Sequence, residues 1–188
     1  MPKIIVDETI YHAVMQVVSE RGYTSATTRQ MAEAAGVSEV TLFRKYQNKA
    51  QLVRQAIAFN VVQSDFASAA EYSGDIQADL TRIVQAYQGS ALKHGVFIAT
   101  LFSEVSRHPE LVDSFNMPLG IFLEFGSLIA RYQAQGVLQP EHPLQTVTAL
   151  LGPLMAASLL GNVIPDSQLL PLDPALHVLR FLEGRRAH

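Results

Sequence analysis

Between residues 21 and 54 the chain sets six basic residues, Arg21, Arg29, Arg44, Lys45, Lys49 and Arg54, against two acids, Glu33 and Glu39. The hydroxyls of Thr27, Thr28, Ser38 and Thr41 lie among them. Cations interleaved with short hydroxyl side chains suit one chemistry, holding a polyanion by charge and by hydrogen bonds to its oxygens and edges. Other chemistries lack their parts. His12, His94, His108, His142, His177 and His188 are scattered, with no H-E-x-x-H and no pair at i, i+4, and there is no cysteine. Nor is there a G-x-S-x-G, a G-x-x-x-x-G-K or a G-x-G-x-x-G. No catalytic residue, metal or cofactor is expected, and His94 and His108 are left as groups able to hydrogen-bond a ligand.

The whole-chain charge hides this segment. The 188 residues carry 14 basic and 17 acidic side chains, net −3. Residues 1–60 hold seven basic residues against five acids, and the remainder seven against twelve. A mildly basic end therefore sits on an acidic body. Charged residues make up 16% and hydrophobic residues 48%, against about 25% charged in an average soluble chain. That excludes a disordered tail and leaves an apolar surplus seeking a partner, a cavity or a membrane. The early acid at Asp7 argues against a secretory segment, which makes the cytoplasm the expected location. His142 to Pro165 has no Lys, Arg, Asp or Glu and is long enough to span a bilayer. Its Thr146, Thr148, Pro153, Ser158 and Asn162, and the lack of flanking cations, favour a buried or dimer-forming helix.

Local signals divide the basic end into short helices. Ile10, Val14, Val17 and Val18 form one apolar stripe, predicting a helix over 7–21 closed by Gly22 in the left-handed conformation. Thr27-Thr28-Arg29-Gln30 reads as a capping box that opens a second helix to about Ala35. Gly36 breaks it, and Ser38 caps a third helix to about Tyr46. Asn48 with Gln51 caps a fourth. Two short helices about a glycine turn make a helix-turn-helix unit.

The stretch RGYTSATTRQMAEAAGVSEVTLFRKYQNKAQL, residues 21–52, resembles the DNA-binding region of TetR-family transcriptional regulators over about residues 7–55. The resemblance implies that Ser38 to Arg44 enter the major groove. Its implied DNA contacts are Thr27, Thr28, Arg29, Ser38, Glu39, Val40, Thr41, Phe43, Arg44, Lys45, Tyr46 and Lys49. Arg44 is the candidate for guanine O6/N7, with a phosphate contact as its alternative. Thr41 offers a hydroxyl to phosphate or a methyl to thymine. Lys49 and the backbone N–H groups beside it resemble the family's phosphate clamp. Three positions depart from the family pattern. Glu39 replaces a basic or neutral residue and either accepts from cytosine N4 or repels phosphate. Phe43 replaces tyrosine and lacks its hydroxyl. Val40 replaces a frequent glycine and packs on a thymine methyl or on protein. Before the first helix the arm has only Lys3.

The body shows no sustained strand period, so the fold class is all-α. It is read as an N-terminal three-helix DNA-binding domain over 1–50 and a helical domain over 51–188, about nine helices in all. Helix four is expected over 49–70, the next over 75–93, 96–106 and from Pro109 to about Gly136. Pro118 should kink or divide the last of these. The final two are expected over 143–161 and 174–184. By resemblance, the body holds a ligand and dimerises. Phe66, Tyr87, Phe97, Phe102, Phe122 and Phe125 are either the lining of a site for an apolar or aromatic effector or plain core. Leu150, Leu154, Ala157, Ser158, Gly161, His177 and Phe181 are the expected dimer contacts. The implied function is a nucleoid-associated homodimer that represses from a palindromic operator in double-stranded DNA. The rival reading is a ligand-sensing or protein-interaction module with a vestigial head.

Overall fold

The computed structural model describes residues 7–66, 68–161 and 172–186. Within them the chain forms eight α-helices: α1 Asp7–Ser25, α2 Thr28–Ala35, α3 Glu39–Tyr46, α4 Lys49–Val62, α5 Ile76–Glu104, α6 Asn116–Ala134, α7 Pro143–Gly161 and α8 Pro174–Glu183. Short 3-10 segments cover Ser68–Ala70 and Pro109–Phe115. The described residues include no strand; Leu138 and Arg186 form a single antiparallel bridge.

Contacts divide the chain into two compact units, residues 1–63 with 94–117, and residues 64–93 with 118–188. The head is therefore larger than the expected 1–50, because α4 and the Pro109–Phe115 segment pack with it. Its core joins Val14 and Val18 of α1, Met31 of α2, Leu42 and Tyr46 of α3 and Val53 and Ile57 of α4 to Phe97, Leu101 and Leu111. In the second unit the buried residues include Leu80, Ile83 and Val84, then Phe125, Ile129 and Tyr132, Val147, Leu150, Leu151 and Leu154, and Val178, Phe181 and Leu182.

Three expected boundaries shift. Helix four ends at Val62 and not near 70. The break expected between 93 and 96 is absent, and one 29-residue helix runs from Ile76 to Glu104. Gly95 costs a helix only about 1 kcal/mol, less than the burial of Phe97 and Leu101 beyond it returns. Pro109 opens a 3-10 segment, and Pro118 falls in the first turn of α6, where a proline's missing N–H leaves no bond unmade. By contrast α7 spans 143–161 as expected, and Asp173 caps α8 through bonds from Ala175 N and Leu176 N.

A buried carboxylate anchors the second unit. The Asp79 side chain is fully buried. It accepts from the Ser73 backbone N–H at 2.9 Å, the Ser73 hydroxyl at 2.6 Å, the Tyr132 hydroxyl at 2.6 Å and Arg82 at 2.9 Å. Burial alone would raise its pKa, but the Ser73 and Tyr132 hydroxyls, the Ser73 N–H and Arg82 outweigh it and hold the carboxyl below its ordinary value.

Candidate nucleic-acid interface

Each helix of the head starts where the sequence provides a cap. Thr27 accepts from Gln30 N, and the Gln30 side chain accepts from Thr27 N, closing the capping box of α2. Gly36 ends α2 with φ 68° and ψ 30°, the left-handed conformation that glycine adopts without strain. Val37 N bonds Ala32 O across this end. Ser38 accepts from Thr41 N and opens α3. Gly22 has the expected positive φ of 76°, but its ψ of 158° is extended; it kinks α1, and the chain regains helix to Ser25.

Helix α3 has two faces. Leu42 and Tyr46 are 2% exposed and hold it in the head core. On the other side Val40 is 76% and Phe43 48% exposed, and Arg44 is exposed with no hydrogen bond or ion pair among the described residues. Ser38 and Thr41 bond each other through their hydroxyls at 2.8 Å. Thr27 and Arg29 are exposed at the start of α2, where Arg29 pairs with Glu33 at 3.0 Å.

Three proposed contacts are used inside the protein. Tyr46 is buried, its ring meeting Tyr11 edge-on at 6.0 Å and its hydroxyl donating to Asp7 at 3.3 Å, so its side chain is not presented outward. Lys45 pairs with the same Asp7 carboxylate. Asp7, read from sequence only as an acid at a helix start, thus ties α3 to α1; a partner 38 residues away leaves no local signal. Lys49 Nζ donates to Tyr23 O at 2.7 Å and Ala26 O at 3.1 Å and lies 4.0 Å from the Tyr23 ring centre. Burial lowers its pKa, with Glu110 and Glu104 opposing. The same surroundings push the Tyr23 phenol up to about 12, chiefly through burial and then through Glu110. The ammonium fastens the start of α4 to the end of α1. Lys49→Met, which keeps the stem and removes the donors, is expected to lower the unfolding free energy by about 1–3 kcal/mol in chemical denaturation.

The sequence around this geometry has known relatives. Residues 10–56 match the family model described as bacterial regulatory proteins, tetR family. The HTH-type transcriptional regulator YvkB of Bacillus subtilis, itself uncharacterised, is 37% identical over 78 residues, 41% of this chain and 40% of its own length. The chain thus spans under half the length of the curated relatives it matches. A Rhodococcus sp. crystal structure assigned to the TetR family shares the fold at TM-score 0.76 and 20% identity, covering 95% of this chain and 97% of that one. The TetR-family regulator PfmR of Thermus thermophilus superposes at TM-score 0.69 and 16% identity over 93% and 94% of the two chains.

The segment 10–56 thus matches the TetR family, and the fold of the chain is that of TetR-family structures. Its departures from the TetR pattern acquire physical meanings. Glu39 accepts from the Thr28 hydroxyl at 2.6 Å, tying the start of α3 to the start of α2. It is therefore already bonded, and Thr28 with it. Val40 does not pack on protein, and Phe43 keeps half its surface in water.

The body residues read from the TetR resemblance fall into separate places. Phe66 lies 6.0 Å from Tyr87 and 5.3 Å from Phe125, and Phe122 lies 6.3 Å from Phe125, one ring cluster within the second unit. Phe97 belongs to the head core, and Phe102 is 63% exposed beside Phe115 at 4.8 Å. Those two do not join the cluster, because the continuous α5 carries them into the first unit. His108 is likewise in the first unit, bonding Thr24 at 2.9 Å and Glu110 at 3.0 Å.

The expected dimer contacts need a similar correction. Leu150, Leu154 and Phe181 are at most 6% exposed and pack inside the protomer, and His177 Nε2 donates to Leu150 O at 2.7 Å. Ala157 and Ser158 are half-buried, and the Gly161 side-chain position lies outside the described residues. The outward apolar groups are Met155, Leu159 and Leu160 on α7, 37–53% exposed, with Leu176 and Leu179 on α8, 43% and 40% exposed. By length and composition alone α7 could cross a membrane, with mean hydropathy 1.4 over 143–160. Its inner face of Val147, Leu150, Leu151 and Leu154 is instead buried in the second unit.

Proposed function

We propose that this protein is a cytoplasmic, nucleoid-associated repressor that binds a palindromic operator as a homodimer and releases it when an apolar or aromatic ligand binds the body. The observation that carries the reading is α3. Its inner face is fixed by Leu42 and Tyr46, and Val40, Phe43 and Arg44 stand outward beside the exposed Thr27 and Arg29. A short, capped helix presenting uncommitted side chains is the form a reading element takes in the major groove. Arg44 reads a base edge. Arg29, Thr27 and the first backbone N–H groups of α4 hold phosphates. Ser38, Thr41, Glu39 and Lys45 support the reading surface through their mutual and internal bonds.

Two further supports come from the body. The exposed leucines of α7 and α8 suit a two-fold interface, in which one apolar patch covers its own copy. The rings of Phe66, Tyr87, Phe122 and Phe125 supply a site with apolar walls for the effector. Release follows if ligand favours an arrangement with lower operator affinity, and DNA then weakens ligand binding by the same factor.

Selection from a random duplex pool tests the reading. Recovery of a palindromic sequence is expected, and Arg44→Ala should relax preference at one position per half-site, a discrimination of about 1–3 kcal/mol. Absence of any selected sequence would leave the ligand-sensing module with a vestigial head as the better account.

A further inference from the structure

The outward surface of α3 shows which feature of DNA it is built to read. Of the side chains between Ser38 and Tyr46, Leu42 and Tyr46 are buried, and Lys45 is paired with Asp7. The Glu39 carboxylate is bonded by Thr28, and the Ser38 and Thr41 hydroxyls bond each other. What remains without an internal partner is two apolar groups and one guanidinium: Val40, Phe43 and Arg44. Val40 and Phe43 are one helical turn apart on the same side, and Arg44 follows Val40 by four residues. Most of Val40's surface and about half of Phe43's is in water, so each has apolar area to bury in a complex.

The major groove offers one apolar feature, the C5 methyl of thymine. Polar edges there would be desolvated by Val40 and Phe43 without receiving hydrogen bonds, which disfavours them. We infer that this protein recognises its half-site by C5-methyl groups: Val40 and Phe43 each cover a pyrimidine methyl, beside the single polar contact of Arg44. The inference rests on the DNA-binding reading and sharpens it into a chemical class of target, a thymine-rich half-site beside a guanine. It also accounts for the two departures at positions 40 and 43 together, since a glycine or a tyrosine hydroxyl would each weaken an apolar surface.

The test uses the full-length protein and the duplex recovered by selection, with each half-site thymine replaced singly by deoxyuridine. That exchange removes the methyl and leaves both base-pairing and groove hydrogen-bonding edges intact. A three- to fivefold weaker affinity is expected at each methyl that Val40 or Phe43 covers, about the burial of one carbon. In Val40→Ala the exchange should lose its effect at one of these positions only, and in Phe43→Ala at the other. Both side chains are exposed, so these variants keep the fold, which circular dichroism checks. A selected half-site without thymine, or a thymine-containing one indifferent to every exchange, overturns the methyl inference while leaving DNA binding intact. Failure to select any sequence overturns both.

Discussion

A Leu159→Glu chain is expected to run as a folded monomer and to bind its operator about 10²–10⁴-fold more weakly than the unaltered protein. Leu159 is 53% exposed in the protomer, so glutamate there remains solvated when the chain is alone. In a two-fold interface the carboxylate would be buried against Met155, Leu160 and Leu176 or their copies, and Arg180 is the one Lys or Arg on α7 and α8. Dimerisation then fails, and each head must find its half-site unaided. The exponent reflects the loss of the second, tethered contact and not of any bond to DNA. Sedimentation velocity read beside operator titration checks both halves of the expectation. A dimer that survives the substitution would place the interface off α7.

The second large effect concerns folding. Asp79→Asn is expected to lower the unfolding free energy by about 2–4 kcal/mol near neutral pH. Asparagine keeps the shape but meets four donors with one acceptor oxygen, leaving buried donors unmatched. Arg82 is 38% exposed, so solvent screens its share, and the buried bonds from Ser73 and Tyr132 carry most of the cost. Because the folded pKa of Asp79 is depressed, its contribution is complete above the unfolded value of about 3.9. It is lost as pH falls through the lower folded value. Denaturation curves of the two proteins should therefore lie far apart at pH 7 and converge in strong acid. A constant gap across that range would show that the carboxylate charge is not what the network stabilises.

Legibility in the sequence followed the range of the interaction. Caps at Thr27, Ser38, Asn48 and Asp173 bond within three residues of themselves, and the helix starts they mark are those observed. Helix α7 was equally plain, bounded by Pro143 and a long apolar run. The side chains whose roles changed have distant partners: Lys45 with Asp7, Lys49 with Tyr23 O, His177 with Leu150 O. Spacing cannot reveal such pairs, because a cation at a given position can equally be free or tied. Ring content failed for a topological reason. Phe97 and Phe102 share a helix with Tyr87, yet α5 passes from one compact unit to the other between them. On α7 the composition identified an apolar helix with small residues but not its phase, and the outward positions proved to be 155, 159 and 160 rather than 150 and 154.

The fate of the basic residues has a consequence for behaviour in the cell. Among the described residues Arg29 is paired with Glu33, Lys45 with Asp7, and Lys49 faces carbonyls, which leaves Arg21, Arg44 and Arg54 as the cations of residues 21–54 without an acidic or backbone-carbonyl partner. On the proposed reading each head brings these three to the duplex together with Arg29, whose exposed pair with Glu33 is weak, and each phosphate neutralised contributes about one power of salt concentration. Two heads on one operator would therefore give an affinity that falls by several powers of salt concentration. On the proposed reading, occupancy of the operator is then expected to follow ionic strength, most steeply for the intact dimer.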